Sequence, residues 1–274
     1  MRIRIRHETG YDYDPPAASA LQLLRMTPRS DDAQFVRRWR VEVDADARMR
    51  RHEDAHGNIA HIVFVDGPLE RLRILIEGEV ETQDTGGLVR GTIERQPEAL
   101  FLRQSRLTAP SPELARLARG ALASQGGDTL AALHALCRDL RADLAFDTEA
   151  THSATTAAEA FAAGKGVCQD FAHIFLSAAR VLGVPARYVS GYYLRSDTAD
   201  QDAGHAWAEA HLPSLGWIAF DPANGHCATD RYVRVAVGRD YLEAAPVRGS
   251  RAGGGGETLS VALRVEQGRA TVEG

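Results

Sequence analysis

The chain has 274 residues, 44% of them hydrophobic and 25% charged, and a formal net charge of −5 at pH 7. That length holds one large domain or two modest ones with real cores, and the composition excludes a wholly disordered chain. The acidic balance gives no reason to expect nucleic acid as a partner, and no run approaches the ~18 apolar residues that a membrane span needs. Cys137, Cys168 and Cys227 are too few, and odd in number, for a disulfide framework. The opening Met1-Arg2-Ile3-Arg4-Ile5-Arg6 alternates charge with apolar side chains and lacks a signal-peptide core. A soluble cytoplasmic protein is expected.

Residues 1–85 are expected to form an all-β module, sandwich-like or a small barrel. Ile3 and Ile5 alternate with arginines, as on a strand with one buried face. Tyr11-Asp12-Tyr13-Asp14-Pro15-Pro16 reads as a turn. Leu21, Leu23 and Met26 form an apolar segment stopped near Pro28, and Val36 to Val43 carries Trp39, Val41 and Val43 in alternation. His56-Gly57-Asn58 is a turn signal between the segments Met49–Glu53 and Ile59–Val65. Leu72, Ile74, Ile76 and Val80 alternate again, giving about six short strands. His52, His56 and His61 lie across a turn without a carboxylate or cysteine set, which favours a solvated hairpin over a metal site.

The character changes near residue 97, and the second domain is expected to span 97–274, helical first and β-rich afterwards. Ser111-Pro112-Glu113 is a helix start with Leu114, Leu117, Ala118, Ala121 and Leu122 as its buried stripe. Gly126-Gly127 ends it, and Asp128 can cap the next helix. There Leu130, Leu133, Cys137, Leu140 and Leu144 share a face, which makes Cys137 a packing residue. Thr156 to Glu159 has the form of a capping box for a short helix ending at Gly164. The next helix runs from about Cys168 to Leu182, stopped by Gly183-Val184-Pro185. At 100° per residue, Ala172, Phe175 and Ala179 share the side of Cys168, which is expected to be buried, while His173, Ser177 and Arg180 point away. Arg187 to Leu194 is β-rich and 195–204 loop-like. In His205 to Leu212, His205, Trp207, Glu209 and His211 share one face. A tight connection at 213–216 leads to the strand Trp217–Asp221, ended by Pro222. The tail holds Tyr232–Val237, a glycine run at 253–256 read as a flexible loop, and a hairpin-like stretch from Thr258 to Val272.

Gly164-Lys165-Gly166-Val167-Cys168 places a cysteine in the first turn of a helix, where unpaired N–H groups and a partial positive charge favour a thiolate. Taken alone, the stretch fits a core cysteine equally well. A nucleophile needs an imidazole to hold its proton, and the imidazole needs an acceptor. His205 begins one strand and Asp221 ends the next, and the short turn between makes them antiparallel neighbours. His173 competes for the base but points away from Cys168, and His211 lies near the wrong end of its strand. Asp170 is read as a cap on the helix start. Zinc on Cys168, His205 and Asp221 fits by ligand type alone, yet a nucleophile–base–acceptor set explains their order more fully. No metal or cofactor is expected.

Three ordered blocks, Gly166 to His173, His205 to Glu209, and Gly216-Trp217 with Phe220-Asp221-Pro222, together resemble the transglutaminase-like superfamily. The closer match is its bacterial branch, often described as cysteine proteases, in which a β-rich N-terminal module precedes the core. Val235 to Tyr241 resembles the stretch after the aspartate in that branch, so the resemblance covers nearly the whole chain. It implies an α+β protein with a papain-like core, a nucleophile helix packed on an antiparallel sheet. It implies Cys168 as nucleophile, His205 as general base and acid, and Asp221 as the orienting acceptor. The activity implied is acyl transfer through a thioester at an amide or peptide bond of a peptide or protein. Hydrolysis is the first choice, with protein-glutamine transamidation and a catalytically silent binding module as alternatives. Gln169, Trp207, Asp240 and Tyr241 are the substrate-side candidates, and the glycines before Cys168 are read as room for a substrate backbone. The Cys168 backbone N–H is the natural first oxyanion donor. Eukaryotic transglutaminases take the second from a tryptophan upstream of the cysteine, but none lies between Trp39 and Cys168, so the second donor is open.

Overall fold

The computed structural model describes residues 1–268, so the last residues of the expected Thr258–Val272 stretch lie outside it. In chain order the first strands are β1 (Arg2–Thr27), β2 (Gln34–Val43), β3 (Ala47–Glu53), β4 (Ile59–Thr82) and β5 (Leu88–Val89), followed by a 3-10 turn at Glu98–Leu102. The helical part holds α1 (Pro112–Ser124), α2 (Thr129–Asp143), β6 (Ala145–Phe146), α3 (Ala157–Ala163), β7 (Lys165–Gly166) and α4 (Cys168–Val181). Then come β8 (Ala186–Tyr193), β9 (Asp200–Gln201), β10 (His205–Leu212), β11 (Gly216–Asp221), β12 (His226–Cys227), β13 (Tyr232–Gly238), α5 (Tyr241–Ala244), β14 (Val247–Gly253) and β15 (Gly256–Gln267). The fold is α+β, with an N-terminal β region ahead of a helix-and-sheet core.

The first sheet runs β2-β4-β1-β15-β9, with β3 paired to β4 and β14 to β1. Two long strands replace the row of short ones that the turn signals suggest. Tyr11 to Pro16 does not turn; it lies inside β1. The ladder to β4 skips from Asp12 to Ala17, where Pro15 and Pro16 have no N–H to give. Asp66, Gly67 and Pro68 lie inside β4 in the same way, so the expected segments at 59–65 and 72–80 are one strand. The turn at His56–Asn58 and the stop before Pro28 are where the sequence places them.

The C-terminal hairpin belongs to this first sheet. β15 pairs with β1 from Ile3↔Gln267 to Asp14↔Gly256, and β14 with its later half. The glycine run is the hairpin's turn, with Gly253 and Gly254 at φ +68° and +75°, a left-handed bend open to glycine.

The core sheet runs β12-β11-β10-β8-β13, all antiparallel, with β5 on β11. Ala206, Ala208, Ala210 and Leu212 of β10 face α4, α1, α2 and α3 across the main core. The helix caps are those the sequence announces. Ser111 accepts from Leu114 N, Asp128 from Ala131 N, and Thr156 forms a capping box with Glu159.

α4 differs from expectation in one respect. It is buried on every side from Asp170 to Arg180, so His173, Ser177 and Arg180 do not face water. The helix is sandwiched between α1–α3 and β8–β10, and its polar stripe is enclosed with the rest. The Arg180 guanidinium donates to the carbonyls of Phe101, Ala186 and Arg239 and to Thr108 Oγ1. It ties α4 to the inter-domain segment, to β8 and to α5.

Side-chain amides join the two sheets. Gln34 donates to Arg234 O and accepts from Arg234 N, both at 2.8 Å. Asn58 does the same with Val237 O and N, also at 2.8 Å. Each amide satisfies the outer edge of β13 as a neighbouring strand would. No helix among the described residues is long and apolar enough to cross a membrane.

Candidate active site

Cys168 is the first residue of α4, half-buried and unpaired with another cysteine. Below it the helix start is satisfied by Asp170, whose Oδ2 accepts from Val167 N at 2.8 Å and from Thr151 Oγ1. Gly166 makes this possible. A Cβ there would stand 2.6 Å from Asp170 Oδ2. Gly164 ends α3 in the left-handed conformation at φ +67°. The two glycines therefore shape the chain's own turn into α4 and are not room kept for a substrate backbone.

His205 is the first residue of β10, where the strand begins beside the helix start. Its Nε2 lies 2.6 Å from Asp221 Oδ2, which leaves Nδ1 as the ring nitrogen for Cys168. The ring is held among Tyr193, Trp207 and Tyr232, at centroid distances of 5.3, 6.2 and 6.0 Å. The contact to Asp221 is diagonal. β10 and β11 pair through Ala208↔Phe220, so Asp221 sits one step beyond that rung and reaches back past Trp207.

Asp221 is fully buried and amply satisfied. Oδ1 accepts the backbone N–H groups of Ala223 and Asn224, and Oδ2 accepts Asn224 Nδ2 and the Tyr232 hydroxyl, each at 2.7 Å. Burial pushes its pKa up, but the His205 charge and these donors outweigh it and hold the carboxyl below its usual value. Burial likewise pushes His205 down. The Asp221 charge and hydrogen bond, with Cys168 as a further partner, prevail and lift the imidazole to about 10. Cys168, His205 and Asp221 are thus brought together, with the ring in its cationic form at neutral pH.

Comparison with known proteins agrees with this arrangement. The model of the transglutaminase-like superfamily matches residues 115–222, and that of the bacterial transglutaminase-like N-terminal region matches residues 3–81. The uncharacterized protein ML0607 of Mycobacterium leprae is 32% identical over 96% of this chain and 98% of its own. The chain belongs to the transglutaminase-like superfamily. The uncharacterized protein Rv2569c of Mycobacterium tuberculosis is 28% identical over 90% of this chain and 87% of its own. A solved structure from Cytophaga hutchinsonii, whose name proposes a cysteine protease, shares the fold at a TM-score of 0.77. It is 19% identical and covers 98% of this chain and 91% of that one.

In this transglutaminase-like chain the other candidates fall in different places. Gln169 is half-buried, and its amide leans toward Ser153 O at 3.4 Å. Trp207 is 1% exposed and packs behind the His205 ring, in a cluster on the far face of the core sheet. Asp240 caps α5 by accepting from Glu243 N, and it is buried. Tyr241 donates its backbone N–H to His173 Nε2 at 3.1 Å and lays its ring against Tyr188. His173 is fully buried, and burial pushes it down to about 3, so it stays neutral. His56 bonds Glu243 at 2.9 Å across the two sheets, so this hairpin is not simply solvated. Cys137 is core packing, as its helix face implies.

Asn224 and Tyr232 were not legible as site residues. Asn224-Gly225 signals only a turn, and Tyr232 reads only as a strand residue. Their service to Asp221 appears when β13 lies beside β8 and the turn after β11 folds back.

Proposed function

We propose that the chain is a thiol enzyme that transfers an acyl group at an amide or peptide bond of a peptide or protein, with water as the usual acceptor. The observation that carries this is Cys168 at a helix start, facing an imidazole whose other nitrogen is 2.6 Å from a buried carboxylate. The Cytophaga neighbour's name supports hydrolysis as the first choice. In the proposed cycle the Cys168 thiolate attacks the carbonyl carbon, and the carbonyl π electrons move to oxygen. The tetrahedral oxyanion collapses, His205 gives its proton to the leaving nitrogen, and the C–N bond breaks to leave a thioester. His205 then takes a proton from water, the resulting hydroxide attacks, and the C–S bond breaks to restore the thiolate. Asp221 keeps the ring oriented throughout. Three unpaired thiols suit a reducing compartment, the cytoplasm first among them.

Iodoacetamide labelling across pH tests the proposal. Burial pushes Cys227 up to about 11 and Cys137 higher still, so Cys168 is expected to be labelled first at neutral pH. His205→Ala is expected to slow that labelling toward the rate of an ordinary thiol. A Cys168 that reacts no faster than a free thiol, indifferent to His205→Ala, would sink the enzyme reading. With a reactive Cys168, turnover of a peptide library with and without a primary amine separates hydrolysis from transamidation by the products' masses.

A further inference from the structure

The Cys168 backbone N–H leaves the second oxyanion donor to be found. The indole and amide candidates are committed elsewhere. Trp39 Nε1 donates to Met26 O at 2.9 Å, Trp217 lies under the Arg187 guanidinium, and Trp207 Nε1 is enclosed on the far face of the sheet. Gln104 Nε2 donates to Ser177 O, and Asn224 Nδ2 to Asp221.

Tyr188 is placed differently. It lies on β8 opposite Ala208 of β10, and its ring belongs to the main core, on the side that α4 covers. The ring is wedged between His173 of α4, 5.2 Å away, and Tyr241 of α5, 6.2 Å away. The residue is only 2% exposed. Its hydroxyl has no hydrogen-bond partner among the described residues, yet it is not one of the enclosed, unpartnered polar atoms. A ring gripped on both sides thus presents a free hydroxyl at an opening. Of the charged groups acting on that phenol, Cys168 comes first, ahead of Tyr241, Asp170 and Asp240. The neighbouring Tyr241 phenol feels Arg248 instead.

We propose that the Tyr188 hydroxyl is the second oxyanion donor, acting with the Cys168 backbone N–H on the tetrahedral intermediate. The proposal rests on the acyl-transfer reading. Burial, and then the nearby Cys168, push the phenol well above its usual value, so it remains a neutral donor beside a thiolate. A donor pre-set at that point stabilises charge only as it develops, without solvent reorganisation.

The test uses the full chain with p-nitrophenyl acetate as the acylating probe. The Cys168 sulfur forms a bond to the ester carbonyl carbon and the C–O bond breaks, releasing p-nitrophenolate and leaving an acetyl thioester. Tyr188→Phe is expected to lower this acylation about 100- to 1,000-fold. Iodoacetamide alkylation of Cys168 is a displacement at saturated carbon that forms no oxyanion. Its rate and pH profile are expected to stay as in wild type, which also reports a folded site. Acylation of Tyr188→Phe at the wild-type rate overturns the role of Tyr188. Loss of alkylation by the same factor also overturns it, since the ring would then only position Cys168. A wild-type chain that alkylates but never acylates at Cys168 overturns the acyl-transfer reading itself, and this inference with it.

Discussion

At the residue scale the decisive group is Asp221. Five hydrogen bonds converge on one buried carboxylate, so its charge is maintained where an isolated one would be expelled. The gain appears on His205, raised to about 10. Asp221→Asn keeps the volume and removes the charge. It is expected to return the His205 titration toward about 6.5, followed by NMR. It is also expected to cut acyl transfer by a factor on the order of 10⁴, because the ring can then settle in the wrong tautomer. An unchanged His205 titration in that variant would refute the assigned coupling. Tyr232→Phe removes one donor of the five, and a smaller loss in the same two measurements is expected.

At the scale of the element, the start of α4 is set by contacts behind it. Gly166 and Asp170 fit each other so closely that a methyl group at 166 would collide with the carboxylate that caps Val167. Gly166→Ala is expected to cost about 1–3 kcal/mol by overpacking and to slow Cys168 alkylation. Both follow from a thermal melt and a labelling time course, and an unchanged melting temperature would refute this account. The same helix shows why an amphipathic reading fell short. Its apolar face was legible from Ala172, Phe175 and Ala179, but His173, Ser177 and Arg180 are equally buried. Arg180 is tolerated inside because three backbone carbonyls and a threonine hydroxyl receive its N–H groups. Those carbonyls come from segments up to 79 residues away, which no helical wheel contains.

At the scale of the whole molecule, the two sheets share buried polar ties. Glu209, fully buried, accepts from Arg187 at 2.6 Å and Arg234 at 2.7 Å, and Arg187 also meets Glu94 from the segment linking the sheets. Glu209→Ala would strand two guanidinium groups, and a loss of about 3–5 kcal/mol in urea denaturation is expected. Acid acts through buried histidines. Burial lowers His7 to about 4 and His173 to about 3, so both are neutral when folded, while an unfolded chain takes up protons near 6.5. Stability from these two is full above about pH 6.5 and declines as pH falls toward their folded values. Denaturation midpoints between pH 7 and 4 are expected to fall, and less steeply in His7→Phe. An equal slope in that variant would remove His7 from the account.

The sequence by itself determined most of the local structure and the order of the chemistry. Helix caps at Ser111, Asp128 and Thr156, the strand from His205 to Leu212, and the cysteine–histidine–aspartate succession were all legible, because capping and alternation are encoded within a few residues. Pairing between distant strands is not encoded so locally. The long β1 and β4 looked interrupted because prolines and glycines that mark turns can also sit inside a strand, where the ladder skips them. That β15 closes on β1, that Gln34 and Asn58 seal β13, and that Tyr232 and Asn224 hold Asp221 depended on which surfaces meet. Those contacts join residues from 3 to more than 250 positions apart. Only the packed tertiary structure, by satisfying each buried polar group with whichever partner lies nearest, decided them.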